Sequence, residues 1–292
     1  MNMISVEKYF QIIRGILKKV PFLESKYYFI LKFIQIPHSS RVIRFKFCSL
    51  CGKKSLILFD ISQLGDTGYC FFCTANERNR ALVEILKKIL IIKLLSKTRD
   101  LKNQISRINL TKYSLKTILK TTKSNNIVIY EPSSIGAIYN KLKNYPKFIF
   151  SEYFPHPNLK KGQYFRNTLF EDLQDLSFDD DYFDIIITQD VLEHVKDPYQ
   201  AFKEIYRVLK TNGIHLFTVP IGLNERTFQY FDDKGKPIFS RVVFHDDPLR
   251  RNGAKVYTQF GTDIVEILND YYFSSFIFSY KKNSVIISIK KI

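Results

Sequence analysis

The sequence predicts an α/β chain in which a parallel sheet, buried on both faces, follows a small cysteine-bearing module. Three observations predict it. The run Asp180 to Gly213 reads as strand, loop and capped helix, and a second apolar strand follows at once. Two further short apolar strands lie upstream, each running into a glutamate. The four cysteines of the chain all fall between residues 48 and 73, as two C-x2-C pairs.

Residues 1–40 read as a basic helical lead. Tyr9 to Val20 sets Tyr9, Phe10, Ile12, Ile13, Ile16, Leu17 and Val20 against Arg14, Lys18 and Lys19. Such a helix either packs on its own protein or lies on an anionic lipid surface. The longest apolar candidate for a membrane segment, Ile89 to Leu95, is short and contains Lys93, so no transmembrane span is expected.

Residues 41–76 carry Cys48-x2-Cys51 and Cys70-x2-Cys73 with eighteen residues between the pairs. That spacing is the signature of a four-thiolate structural zinc site, with Gly52, Gly65 and Gly68 available for its turns. Two disulfides would use the same residues. No secretory leader precedes them, so reduced thiols holding Zn2+ and a cytoplasmic location are expected. Four protein ligands leave the ion no open position, which implies scaffolding rather than catalysis. Residues 77–124 read as connecting helices, the first opening at Glu77-Arg78-Asn79-Arg80 and running to about Leu95.

Residues 125–292 read as one α/β domain. Ile127 to Tyr130 forms a first strand, and Glu131-Pro132-Ser133-Ser134-Ile135-Gly136 turns into a helix through Leu142. Phe148 to Ser151 forms a second, ending at Glu152. Phe183 to Thr188 is a β-branched run for the sheet centre, followed by Gln189, Asp190, Glu193 and His194. Asp197 is placed to cap the next helix, with Pro198 at its first position. Phe202, Ile205, Tyr206 and Leu209 recur at helical spacing, Asn212-Gly213 is the expected stop, and Ile214 to Val219 returns as a strand. Glu193 and His194 either serve a site or help to cap that helix. Pro220 to Gly261 is a long insert, expected as a cover over the acceptor, and its His245 is either a base there or, as expected first, a surface histidine in a turn. A helix at Asp263 to Leu268 and two strands, Tyr272 to Ser279 and Ser284 to Ile289, end the domain as a hairpin.

The wording FDIIITQDVLEHVKDPYQAFKEIYRVLKTNG closely resembles the stretch between the fourth and fifth strands of class I S-adenosylmethionine (SAM) dependent methyltransferases. With the upstream glutamates and the hairpin, the resemblance covers nearly all of residues 125–292. It implies a Rossmann-like sheet of seven strands with a C-terminal antiparallel hairpin, and it implies SAM as cofactor. Carried over position by position, it implies cofactor contacts from Glu131, Ser133, Gly136, Glu152, Asp172, Leu173 and Gln189. Asp172 would take the adenine amino group and Leu173 the ring. Gln189, Asp190 and His194 are the positions it implies beside the acceptor. The chain departs from the family where Ser133, Ile135 and Ala137 replace the usual glycines.

Charge divides the chain. Residues 1–124 hold 24 Lys and Arg against 7 Asp and Glu, the entire net charge of +17, whereas residues 125–292 hold 21 of each. A basic module of this kind can meet RNA or membrane phosphates without sequence preference. The expected activity is methyl transfer to a small-molecule, sugar or lipid-linked acceptor. The alternatives are RNA methylation guided by the basic module, and a degenerate fold that only binds.

Overall fold

The computed structural model describes residues 21–62, 67–94, 109–121, 126–154, 158–222, 226–232, 234–240, 242–247, 249–280 and 283–291. The expected helix at Tyr9 to Val20, and Gly65, lie outside them. The chain divides into two compact units, Met1–Thr122 and Lys123–Ile292.

In the first unit, α1 (Pro21–Gln35) precedes a three-stranded antiparallel ribbon of β1 (Arg41–Phe47), β2 (Lys54–Asp60) and β3 (Tyr69–Cys70), in that spatial order. Phe29 and Ile36 pack on Leu58 of β2. The long helix α2 (Glu77–Leu94) begins where the side chains of Asn76 and Asn79 accept each other's backbone N–H, at 2.8 and 3.1 Å. That exchange satisfies two of the donors a helix start leaves open. α3 (Leu115–Thr121) packs on α2. Among the described residues, no helix is long and apolar enough to cross a membrane.

The second unit is built on an eight-stranded sheet. Its members are β4 (Ile129–Glu131), β5 (Phe148–Glu152), β6 (Tyr164–Phe165), β7 (Thr168–Phe170), β8 (Phe183–Gln189), β9 (Leu209–Thr218), β14 (Phe273–Tyr280) and β15 (Asn283–Lys290). They lie in the order β14-β15-β9-β8-β4-β5-β7-β6. Pairing is parallel from β9 through β8, β4 and β5 to β7, and antiparallel at both edges. The expected seven strands and closing hairpin are therefore present. The eighth, β6, is a two-residue edge strand too short to leave a pattern in the sequence.

The connection β4 to β5 runs through α4 (Gly136–Leu142), toward one side of the sheet, and the chain later returns to place β8 on the other side of β4. This is a topological switch point, and it opens a crevice at the carboxyl ends of β4 and β8. Phe202, Ile205 and Val208 of α5 (Pro198–Val208) bury against the sheet with Tyr130, Phe183, Ile186 and Phe217. Truncating a ring such as Phe202 would cost about 3–5 kcal/mol.

Asp197 caps α5 as its sequence implies, accepting the Gln200 N–H at 3.0 Å. The helix ends earlier than expected. Leu209 is extended (φ −75°, ψ 137°) and starts β9, whose pairing with β8 skips from Leu209 to Ile214. Asn212, at φ 60°, turns the chain inside this bulge, and a Cβ on Gly213 would meet the Lys210 carbonyl oxygen at 2.6 Å. Asn212-Gly213 thus shapes a bulge rather than a helix cap.

The insert folds into two small ribbons. β10 (Phe228–Gln229) pairs with β13 (Thr258–Gln259), and β11 (Phe244–Asp247) pairs with β12 (Arg250–Lys255). The last helix, α6 (Ile264–Asp270), packs on β14. Asp263 accepts from the N–H and hydroxyl of Thr227 at 2.9 and 2.6 Å, tying the start of the insert to its end.

Candidate functional site

The crevice is lined by groups at the ends of the central strands. Glu131 closes β4 and Gln189 closes β8, and the Gln189 amide donates to Glu131 Oε1 at 2.5 Å across the switch point. Glu131 is 1% exposed. Burial disfavours its ionised form and raises its pKa to about 8, against the lowering effect of the Gln189 bond, and repulsion from Glu152 adds to the rise. Glu131 Oε2 is buried and, among the described residues, meets no hydrogen-bond donor.

Glu152 closes β5 and accepts from Ser134, from its backbone N–H at 3.2 Å and its hydroxyl at 3.1 Å. Its pKa is raised, mainly by burial, while the Ser134 bonds and Arg250 act in the opposite direction. The turn after β4 is thereby pinned to the end of β5. Ser133 caps the turn on itself, its hydroxyl donating to the Ile135 carbonyl at 3.2 Å. Gly136 holds φ 96°, and nothing lies within 4 Å of where its Cβ would stand. One glycine therefore stays where open space adjoins the crevice, although the neighbouring family glycines are replaced.

Asp172 occupies the turn after β7 and accepts from the Gln174 N–H at 2.9 Å. Leu173 is buried in the core with Tyr130 and Leu176. The turn is held from α5: Glu204 accepts the Leu176 N–H at 2.9 Å, and Arg207 donates to the carbonyls of Leu176 and Phe178.

Beyond β8, Asp190 adopts a left-handed conformation, φ 48°, and is tied to the end of β9. Its N–H donates to the Thr218 carbonyl at 2.9 Å, and its carboxylate accepts the Thr218 hydroxyl at 2.8 Å. A non-glycine residue held in this region is backbone strain kept at the mouth of the crevice. Leu192–His194 form a single 3-10 turn. His194 Nδ1 donates to the Lys255 carbonyl of β12 at 2.8 Å, because a carbonyl can only accept. The Nε2 atom is then the one with a free lone pair. Burial holds the His194 pKa below the usual imidazole value, so the ring is neutral. Neither Glu193 nor His194 caps α5, a task Asp197 performs.

Two residues of the insert reach this edge. His245 stands in β11, not in a turn, with its ring 5.0 Å from that of His194 and nearly perpendicular to it. Arg250 of β12 donates to the Tyr153 carbonyl at 2.7 Å, lies 4.0 Å from Glu152, and pairs with Asp247. The β11–β12 ribbon therefore covers the carboxyl edge between β5 and β8. Arg250 and Ser134 were invisible in the sequence. Their roles depend on partners about 100 and 18 residues away, and no local pattern announces such contacts.

In the first unit, Cys48, Cys51, Cys70 and Cys73 gather with their sulfurs within 4.8 Å of one another, and no disulfide joins them. Cys48 to Cys73 is 3.6 Å and Cys51 to Cys70 is 3.9 Å. Four thiolates about 2.3 Å from one tetrahedral zinc would stand about 3.8 Å apart. The donor set and its spacing both fit zinc. Hydrogen bonding among the thiols holds Cys70 below the ordinary thiol range and Cys48 and Cys73 above it, so the four groups share their protons as one cluster. Gly52 (φ 71°) allows the first knuckle to pass under Ser114, whose backbone nitrogen would lie 2.7 Å from a Cβ. Lys87, wholly buried, fastens α2 to the same knuckle: its Nζ donates to the carbonyls of Ser49, Leu110 and Tyr113 at 2.9, 2.7 and 2.9 Å and pairs with Glu84 at 3.1 Å. Arg80 is also buried, donating to the carbonyls of Gly68 and Ala75. That removes it from any nucleic-acid surface.

Comparison with known proteins gives one family-model match. The profile described as methyltransferase domain matches residues 155–217. No curated protein matches the sequence. Similar solved structures include three methyltransferases. A SAM-dependent enzyme from Methanosarcina mazei shares 16% identity over 56% of this chain and 92% of its own, with a TM-score of 0.35. An S-adenosylmethionine dependent methyltransferase from Mesorhizobium loti shares 13% over 56% and 91%, with a TM-score of 0.38. The 1,6-didemethyltoxoflavin-N1-methyltransferase of Burkholderia thailandensis shares 11% over 71% and 88%, with a TM-score of 0.35. The family match lies within the unit from Lys123 to Ile292, across the stretch that holds β6 to β8 and most of β9, in a parallel sheet that ends in an antiparallel hairpin.

Proposed function

We propose that this protein transfers the methyl group of S-adenosylmethionine to a small-molecule, sugar or lipid-linked acceptor, with the four-cysteine module as a zinc-held scaffold. The observation that carries the reading is Glu131 Oε2, a buried carboxylate oxygen with no donor among the described residues, at the switch point of the sheet. A cationic cofactor beside this oxygen would favour the ionised form that burial disfavours, and the open space over Gly136 leaves room for it. Bound there, SAM would supply a methyl group already activated on sulfur, so the protein mainly has to position an acceptor and exclude water.

Glu131, Ser133, Gly136, Glu152, Asp172, Leu173 and Gln189 are the residues proposed to hold the cofactor. Glu152 would exchange its Ser134 bonds for ribose hydroxyls. Gln189, Asp190 and His194 are proposed for the acceptor side, with the neutral His194 able to accept a proton at Nε2. The β11–β12 ribbon lies over this edge, and a covered site favours a compact acceptor over a long polymer. RNA remains the second reading because the first 124 residues carry the whole net charge.

Two measurements test the proposal. Calorimetry should show binding of SAM and of S-adenosylhomocysteine, and no affinity for either would return the fold to a binding role. Labelled SAM incubated with fractionated cell extract should mark a small or lipid-extractable product. A single labelled position in RNA would instead establish the second reading. Mere charge attraction to RNA should fade with salt and show no preferred sequence.

A further inference from the structure

We propose that Glu193, His194 and His245 form a binding site for one divalent first-row transition metal ion, separate from the cysteine cluster. Their ligand atoms lie within 4.8 Å of one another. Glu193 Oε1 stands 3.8 Å from His194 Nε2 and 3.9 Å from His245 Nδ1. These separations exceed a hydrogen bond. They approach the spacing of ligands around a shared ion, since two atoms about 2.1 Å from a metal at a tetrahedral angle are about 3.4 Å apart. A shift of a few tenths of an ångström closes each pair, and the His245 side chain is half-exposed.

The surroundings are those of a metal site. The Glu193 side chain is 2% exposed, and buried carboxylates are held by pairing or by metal ions. His194 donates its other ring N–H to the Lys255 carbonyl, which fixes the tautomer and aims the Nε2 lone pair toward Glu193. This carbonyl bond to the far nitrogen is the usual support of a metal-bound imidazole. The backbone holds the ligands in place as well. The Tyr257 N–H donates to the Glu193 carbonyl at 2.7 Å, so the turn bearing Glu193 and His194 is tied to the short link between β12 and β13. Two imidazoles and one carboxylate suit Zn2+, Fe2+ or Mn2+ and leave coordination positions open. The site follows the end of β8, on the acceptor side of the crevice, so an acceptor hydroxyl is the group that would fill an open position. With the ion bound, His194 Nε2 is a ligand and no longer a proton acceptor, so the ion would replace it in activating that hydroxyl; this role rests on the proposed methyl transfer, whereas the metal site itself does not.

The test is a titration of the zinc-loaded full-length protein with Co2+, which binds such sites more weakly than Zn2+ and so leaves the cysteine cluster occupied. One equivalent should bind, with visible absorption free of sulfur charge-transfer bands. His245→Gln and Glu193→Gln should each weaken it at least tenfold, with thermal midpoints reporting that the variants are folded. No cobalt binding by the wild type, sulfur bands in the bound complex, or equal affinity in folded His245→Gln overturns the proposal. SAM affinity measured on the same samples separates the two ideas. Cobalt binding without SAM binding would leave the metal site standing and remove the methyl-transfer reading, and the reverse would do the opposite.

Discussion

Glu131→Gln should change how the stability of the protein depends on pH. The carboxyl is 1% exposed and its pKa is about 8 in the folded chain, against 4.5 for the ordinary group, because burial penalises the charge. Between those values the folded state binds more protons at this position than the unfolded state. Stability from the group is therefore fully present below about pH 4.5 and is lost as the pH rises through 8. At about 1.4 kcal/mol per unit, a shift of this size corresponds to a loss of roughly 4–5 kcal/mol across that window, an upper figure because a buried site relaxes when charged. Glutamine keeps the size and can still accept from Gln189, but it cannot ionise. Urea unfolding followed by circular dichroism, at pH 5.5 and at pH 8.5, should show the variant gaining on the wild type by a few kcal/mol at the higher pH. Parallel stability profiles for the two proteins over this range would falsify the assignment of Glu131 as a buried carboxyl that ionises late.

Glu152→Ala should weaken SAM by about 1.5–3 kcal/mol, or roughly ten- to a hundredfold, if a charge-assisted bond to the ribose is lost, and calorimetry reads this directly. Unchanged affinity would move the ribose elsewhere. Metal analysis after mild chelation should find one zinc per chain retained, and Cys70→Ser should lose it; a folded protein that holds no zinc would remove the scaffold role. Lys87→Met should destabilise the first unit by about 3–5 kcal/mol, since it strips three backbone carbonyls and Glu84 of a buried ammonium. A thermal midpoint within a degree of the wild type would show that water replaces it.

The sequence by itself determined the parts whose physics is local. The β-branched run from Phe183 to Thr188 is almost wholly apolar and fits an interior strand. Asp197-Pro198 marked the start of α5, and two C-x2-C pairs brought four thiols to one point. Tertiary structure decided the rest. Asn212-Gly213 looks like a helix stop, yet pairing of Leu209 with Phe183 draws the chain into the sheet first, and the dipeptide turns a bulge instead. Arg80 counts in sequence toward the charge of the basic first part, but the carbonyls of Gly68 and Ala75 take its guanidinium inside. His245 reads as a surface histidine because nothing near it in sequence shows that β11 will lie beside the turn after β8. Periodicity and capping act over a few residues, so a sequence displays them. Contacts such as His245 with Glu193 or Arg250 with Glu152 join segments that only sheet order and ribbon pairing bring together.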